Sequence, residues 1–317
     1  MTFAMRVKEE IASSTDYMTI LAELSAYVKY GSKFDNNCIT MVMENKLVAE
    51  YIYDIFKRIF NINLKVQVRI QNRFKTKQIY ILSTTEKYNF ILEKLNIIKD
   101  NKLIEPEIYF LDTDEDKASY LKGLFLACGS INDPSKSGYH LEFVVPLKKD
   151  AEYISKLLKY FKIESKVLKR NNKYMIYMKQ AEMISDTLKL FQATNSLFYL
   201  EDIRIYRDHM NMLNRLNNVD LANQEKVIST GLKQLEDIKY LKKHNLLDLL
   251  DDRSKDIIKY REKYPETSFQ ELAEIVSMET EKNITKSGIN HCFRKIRDLV
   301  NRHKNNWFLL FIKLYYF

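Results

Sequence analysis

The chain has 317 residues, with 51 Lys and Arg against 42 Asp and Glu, a net charge of +9 and a 46 % hydrophobic content. These values are globular, exclude global disorder and suit two or three domains. Six Gly and four Pro exclude a collagen-like chain, argue against a turn-rich all-β fold, and leave no GxGxxG or P-loop motif for phosphate.

Residues 3–30 read as helical, with Met5, Val7, Ile11, Leu21, Leu24 and Val28 near helical spacing, and end at Gly31-Ser32. A short β-like run follows at 38–44, then an amphipathic helix at 46–60. Residues 64–70 alternate strictly. Leu64, Val66, Val68 and Ile70 share one face and Lys65, Gln67 and Arg69 the other, the pattern of a half-buried strand. A strand at 78–82 and a helix at 86–95 complete this unit.

The same order then returns: helix 117–129, strand 141–145, helix 150–161, strands 166–169 and 174–178, helix 181–191. The letters repeat too. Ala49-Glu-Tyr-Ile52 matches Ala151-Glu-Tyr-Ile154, and Phe60-Asn-Ile-Asn-Leu-Lys-Val66 parallels Phe161-Lys-Ile-Glu-Ser-Lys-Val167. The offset near 100 predicts two copies of a helix–β–helix–β–β–helix unit, packed as a pseudo-dimer by their two apolar helices ending in Gly-Ser. Between the copies, residues 105–116 hold six acids and no Lys or Arg. This stretch reads as a solvated linker into an N-capped helix, or as a surface for a basic partner.

Residues 200–252 have one Gly and no Pro and read as a helical linker. The last unit, 253–304, has three helical pieces: 255–263, 269–276 and 286–303. Ser268 and Glu271 form a capping box on the second, and Thr285 or Ser287 caps the third. Ile289, Phe293, Ile296 and Val300 make one apolar stripe on the third helix. The polar face of that helix carries Lys286, Ser287, Asn290, His291, Arg294 and Lys295, and residues 282–304 sum to +6. A recognition helix needs such a face, with polar groups for base edges and cations for phosphates. The plain alternative is an amphipathic helix with a solvated basic face.

In the linker, Arg204, Arg207, Asn211, Asn214, Arg215 and Asn218 fall three and four apart and form a secondary candidate for DNA contact, or again a solvated face. Lys65, Arg69, Lys166 and Lys169 admit a basic saddle on the strands, opposed by Glu44 and Glu142. Five histidines show neither HExxH nor ligand spacing, so no metal or cofactor is expected. Three distant cysteines exclude a disulfide framework. With no apolar leader in the first residues and no apolar run of membrane-spanning length, a cytoplasmic protein without membrane contact is expected. The run from Trp307 to Phe317 is an apolar tail of unassigned role.

The helix Leu121-Lys-Gly-Leu-Phe-Leu-Ala-Cys-Gly129 resembles the LAGLIDADG motif of homing endonucleases, and Glu23-Leu-Ser-Ala-Tyr-Val-Lys-Tyr-Gly31 is a weaker copy. In those nucleases an acid before the last Gly binds the catalytic metal. Tyr30 and Cys128 stand there in this chain, and neither is a hard oxygen ligand for Mg²⁺.

From about residue 3 to 304 the chain resembles the bacterial WhiA family. The resemblance rests on Val7-Lys-Glu-Glu-Ile11, Gly-Ser-Ile-Asn-Asp-Pro at 129–134, Tyr139-His-Leu-Glu142, Asn214-Arg215 with Asn218 and Ala222-Asn223, Gln234 with Glu236-Asp237-Ile238, and Thr285-Lys-Ser-Gly-Ile-Asn-His291. It implies an α+β fold: a two-repeat LAGLIDADG-like domain (1–199, repeats about 3–100 and 117–195), joined by the helical linker to an all-α helix-turn-helix domain. It also implies a non-enzymatic, nucleoid-associated transcriptional regulator of cell division, chromosome segregation and, in spore formers, sporulation. The expected partner is double-stranded DNA, with a sigma factor or other protein on the repeat domain. An active endonuclease and a protein-interaction scaffold are the rival readings. Cys292 departs from the pattern, since a basic residue is expected before Phe293.

Overall fold

The computed structural model describes residues 1–14, 16–71, 77–100 and 102–315, the side chains of Lys77 and of 306–315 excepted. It divides into two compact units, 1–208 and 209–317.

The first unit opens with two helices, α1 (Phe3–Ser13) and α2 (Ile20–Gly31), where the periodicity predicts one. The chain breaks between them at residues whose side chains compete for the backbone. Ser13 and Ser14 donate to carbonyls within α1, and Asp16 accepts from Met18 N at 3.0 Å. A strand not read from the sequence follows, β1 (Ser32–Asp35), then β2 (Cys38–Met43) and α3 (Lys46–Phe60). Asn36 and Asn37 both have positive φ and close β1 onto β2 with a two-residue turn. Strands β3 (Lys65–Gln71) and β4 (Lys77–Thr84) complete a sheet of order β1-β2-β4-β3. Helix α4 (Tyr88–Lys94) and a short ladder of β5 (Ile98–Lys99) and β6 (Lys102–Leu103) end the repeat.

The second repeat has the same plan. Helix α5 (Asp114–Cys128) leads into another strand that the sequence reading lacks, β7 (Gly129–Ile131), then β8 (Leu141–Val145) and α6 (Lys148–Tyr160). Strands β9 (Lys166–Arg170) and β10 (Lys173–Met178) and helix α7 (Ala181–Leu190) follow. The sheet order is β7-β8-β10-β9, strand for strand that of the first repeat. Asn171 and Asn172, again at positive φ, turn β9 into β10. Each repeat is thus helix–β–β–helix–β–β–helix, one strand richer than expected. The additional strands are short and directly continue the apolar helices, so they carry no alternation of their own.

Helices α2 and α5 pack on each other at the centre. Thr19 and Ser119 share a buried hydrogen bond of 2.6 Å between the helices, and Tyr120 OH donates to Tyr30 OH at 3.5 Å. Around them Phe56, Tyr120, Phe125, Phe143 and Phe191 are fully buried in one core. Each such ring contributes roughly 1.5–3 kcal/mol relative to exposure.

One expectation fails here for a plain reason. The alternation at 64–70 predicts a half-buried strand, yet β3 is exposed along its whole length, with Val66, Val68 and Ile70 each at least half exposed. It is one of the two edge strands, and only Leu64, just before it, reaches the core. The counterpart β9 is exposed in the same way.

Helix α8 (Thr194–Lys243) crosses the boundary between the units in sequence. In the second unit its last turns pack with α9 (Asp252–Lys263), α10 (Phe269–Thr280) and α11 (Lys286–Tyr315). Their shared core holds Ile238, Leu241, Ile257, Leu272, Val276, Ile289, Phe293, Ile296 and Val300. Buried Arg261 fastens this bundle. It donates to the carbonyl of Thr267 at 2.7 Å and lies over the rings of Phe269 and Phe293, which stack 5.9 Å apart. Helix α11 continues past its expected end at 303. The apolar run from Trp307 lies outside the residues whose side chains are described, and Tyr316 and Phe317 outside the described chain.

Candidate nucleic-acid interface

The second and third helices of the C-terminal bundle set the geometry. Ser268 caps α10 through a full capping box, accepting from Glu271 N at 3.2 Å while Glu271 accepts from Ser268 N at 2.7 Å. The hydrogen bond from the Ser268 backbone N–H, and after it one from the Ser268 side chain, hold the Glu271 carboxyl below its ordinary pKa. Glu281, in the left-handed region, ends α10, and the turn to α11 is pinned by Ser277. Its hydroxyl accepts from Ile284 N at 2.9 Å and donates to Ile284 O at 3.1 Å. Thr285 then caps α11 by accepting from Gly288 N at 3.2 Å, which decides between the two caps the sequence allows.

This start fixes which side of α11 faces out. Ile289, Cys292, Phe293, Ile296 and Val300 are buried, whereas Lys286, Ser287, Asn290, His291, Arg294 and Lys295 are all exposed. The six candidates therefore lie together on the free face of the first turns of α11. Arg294 Nη2 donates to His291 Nδ1 at 3.2 Å, which orders two of them against each other. Lys295 lies near Asp251, whose carboxyl is held below its ordinary pKa first by a hydrogen bond from Ser254 and further by the Lys295 charge. Cys292 belongs to the core, so a thiol where a basic residue is expected removes no cation from the exposed face. Two outlying cations of this stretch are tied up: Lys282 pairs with Asp256 at 3.5 Å and Arg297 with Asp237 at 3.6 Å.

One neighbour escaped the sequence reading. Exposed Arg253, at the start of α9, lies against the first turn of α11, where a Cβ added to Gly288 would sit 2.5 Å from its Nη2. Thirty-odd residues separate the two in sequence, so no local pattern links them. Only the fold makes Arg253 a cation of this face.

The secondary candidates on α8 divide. Asn211, Asn214, Arg215 and Asn218 are exposed. Arg207 is half-buried in the first unit, donating to Ser137 O at 3.1 Å and lying over the Tyr139 ring. Arg204 pairs with Glu182 at 2.8 Å. On the strands Lys65, Arg69, Lys166 and Lys169 are exposed, while Glu142 pairs with His140 at 2.9 Å.

At the nuclease-like positions, the helix pair has the close approach and lacks the acids. A Cβ on Gly123 would fall 1.9 Å from Glu23 O. Tyr30 is half-buried and receives the Tyr120 hydroxyl, and burial pushes its phenol up. Cys128 donates to Leu124 O at 3.4 Å, and burial pushes its thiol up to about 12. Both side chains hold their protons at neutral pH. Among the described residues no group of three or more His, Cys, Asp or Glu side chains is placed to hold a metal ion, and no helix is long and apolar enough to cross a membrane.

Three family profiles tile the chain. Residues 18–98 match the WhiA N-terminal LAGLIDADG-like domain, 117–210 the WhiA LAGLIDADG-like domain and 213–300 the WhiA C-terminal HTH domain. Over 311 residues, covering 96 % of this chain and 98 % of the relative, the sequence is 37 % identical to the probable cell division protein WhiA of Staphylococcus aureus strain JH9. The chain belongs to the WhiA family. The WhiA protein of strain Newman is similar to the same extent. Full-length DUF199/WhiA from Thermatoga maritima shares the fold, with a TM-score of 0.56 at 21 % identity over 95 % of this chain and 99 % of that one. The α+β plan, with a LAGLIDADG-like part followed by a helical HTH domain, is therefore that of WhiA proteins. The WhiA HTH profile begins at 213, so it takes in the part of α8 whose end packs into the C-terminal bundle.

Proposed function

We propose that this WhiA-family protein is a non-enzymatic transcriptional regulator that reads double-stranded DNA with α11. The carrying observation is the segregation on that helix: every apolar stripe residue is buried and all six polar candidates are exposed. Ser287, Asn290 and His291 contact base edges, and Lys286, Arg294 and Lys295 hold phosphates. Arg253 adds a phosphate contact beside Gly288. Asn211, Asn214, Arg215 and Asn218 extend the contact along the linker, whereas Arg207 is engaged within the first unit. In this reading residues 253–304 are the reader, 200–252 the linker and 1–199 a partner surface for a sigma factor or another protein. The cellular role is cell division, with chromosome segregation and, in spore formers, sporulation, carried out at the nucleoid in the cytoplasm.

The test is competition binding of the full chain to promoter-derived against random duplexes across a salt series. A site-specific preference that survives rising salt supports the reading. Equal affinity for all duplexes, or none, refutes it.

The LAGLIDADG-like helix pair favours one second reading, a nuclease. Tyr30 and Cys128 argue against it, since metal-assisted cleavage needs carboxylates where a phenol and a protonated thiol stand. Incubation with supercoiled DNA and Mg²⁺ or Mn²⁺ decides the matter, and sustained nicking would establish the nuclease.

A further inference from the structure

We propose that the second repeat binds a small molecule carrying two or more phosphate groups, in a cleft between α6, the segment before β9, and the end of β10. The cleft is open to solvent and has a volume of about 700 Å³, the size of a small-ligand site. Four exposed lysines line it, Lys159, Lys162, Lys166 and Lys179, with Glu164 as the one acid. Among the described residues none of the four has a carboxylate within ion-pairing distance, whereas nearby Lys148 pairs with Glu152 at 3.0 Å. Four lysines around one concavity raise the local positive potential, which favours a multiply charged anion. Lysine suits phosphate as a compact point charge.

The rest of the lining fits a ligand with an organic body. Ile163 and Met178 give an apolar floor. Ser155 and Ser165 place two hydroxyls 3.2 Å apart on the wall, and Tyr177 offers a ring with Lys179 Nζ 5.7 Å from its centre.

The first repeat serves as an internal control. Lys65 faces Ser83 across its sheet as Lys166 faces Tyr177, and Ala49 in α3 matches Ala151 in α6. By that alignment the four lysines correspond to Lys57, Asn61, Lys65 and Thr85. Half the cations are missing there, so the fold does not by itself produce this cluster. A duplex would need cations spread along a surface to track its phosphates. Here the four lysines line one concavity, which favours a compact ligand.

The test is calorimetric titration of the full chain with pyrophosphate and with ATP in the absence of divalent metal, with adenosine as the uncharged control. Saturable sub-millimolar binding of both phosphates, and none of adenosine, is expected. Lys162→Gln with Lys166→Gln, both at exposed positions, should weaken it about tenfold or more at unchanged melting temperature. The two lysines at the corresponding positions of the first repeat, replaced as Lys57→Gln with Lys65→Gln, and Arg294→Ala with Lys295→Ala on α11, should leave it unaltered, so this proposal and the DNA-reading proposal fail separately. No saturable binding in the millimolar range would overturn it, as would equal binding by the two lysine pairs of variants. A third overturning result is a short random duplex that displaces pyrophosphate and itself binds more weakly to the Lys162→Gln, Lys166→Gln protein, which would make the cleft part of a DNA surface.

Discussion

Gly123 lies against the backbone of Glu23 so closely that a methyl group on it would stand 1.9 Å from the Glu23 carbonyl oxygen. Backbone cannot yield as a flexible side chain does, so the two central helices would have to separate. Gly123→Ala is expected to destabilise the first unit by about 3 kcal/mol or more, read as a lower denaturant midpoint at unchanged slope. Gly31→Ala, whose new Cβ would come no closer than 3.2 Å to its nearest neighbour, the Ala127 Cβ, should cost clearly less.

Glu23 itself makes the first unit pH-sensitive. Burial raises its carboxyl to about 7, against the lowering effect of the hydrogen bond from Tyr51 at 2.8 Å and of the Lys122 charge. Between the unfolded carboxyl pKa and about 7 the folded chain keeps a proton that the unfolded chain has lost. Stability from this group is therefore full below that window and falls as pH rises through it, by a total on the order of 3 kcal/mol. Glu23→Gln should remove the fall. Melting temperatures of the two proteins should agree near pH 4.5 and separate toward pH 8, with the variant higher.

On α11, Arg294→Ala with Lys295→Ala should weaken duplex binding by roughly 1–3 kcal/mol and flatten the salt dependence by about two counter-ions. Asn290→Ala should instead narrow the gap between promoter and random duplex with little change in salt slope. Anisotropy titrations across salt measure both. Unaltered affinity and slope in the double variant would remove α11 from the interface.

The C-terminal bundle depends on Arg261. It is 1 % exposed, has no carboxylate partner among the described residues, and burial pushes its guanidinium down. Its bonds to the carbonyls of Thr267, Tyr264 and Pro265 close the turn between α9 and α10. Arg261→Ala should cost about 3–5 kcal/mol, because three carbonyls lose a donor and a cavity opens under Phe269 and Phe293. Denaturation followed in the second unit checks this.

Local patterns in the sequence specify some elements of this fold and not others. The pattern of α3 was readable because one face of a long helix meets one core, and Val48, Ile52, Ile55 and Phe56 are all buried as their spacing says. The α11 face was readable for the same reason, its stripe and its polar residues being local. The alternation in β3 misled, because β-branched residues suit an extended backbone whether or not anything covers them. Strands β1 and β7 were too short to alternate, although the pair Asn36-Asn37 is a hairpin signal that would have revealed the first. Arg253 beside Gly288 and the four lysines of the second repeat are assembled by the fold from distant segments, and no spacing rule reaches them.

The buried thiol of Cys292 gives the C-terminal bundle a clock of its own. Cys292 lies in the core of that bundle, whereas Cys38 and Cys128 in the first unit are only partly buried. A thiol reagent reaches Cys292 only when its surroundings open, so the modification rate there measures opening of the bundle. A ligand that steadies the bundle will slow that rate and one that steadies only the first unit will leave it running, which tells where on the chain it has bound.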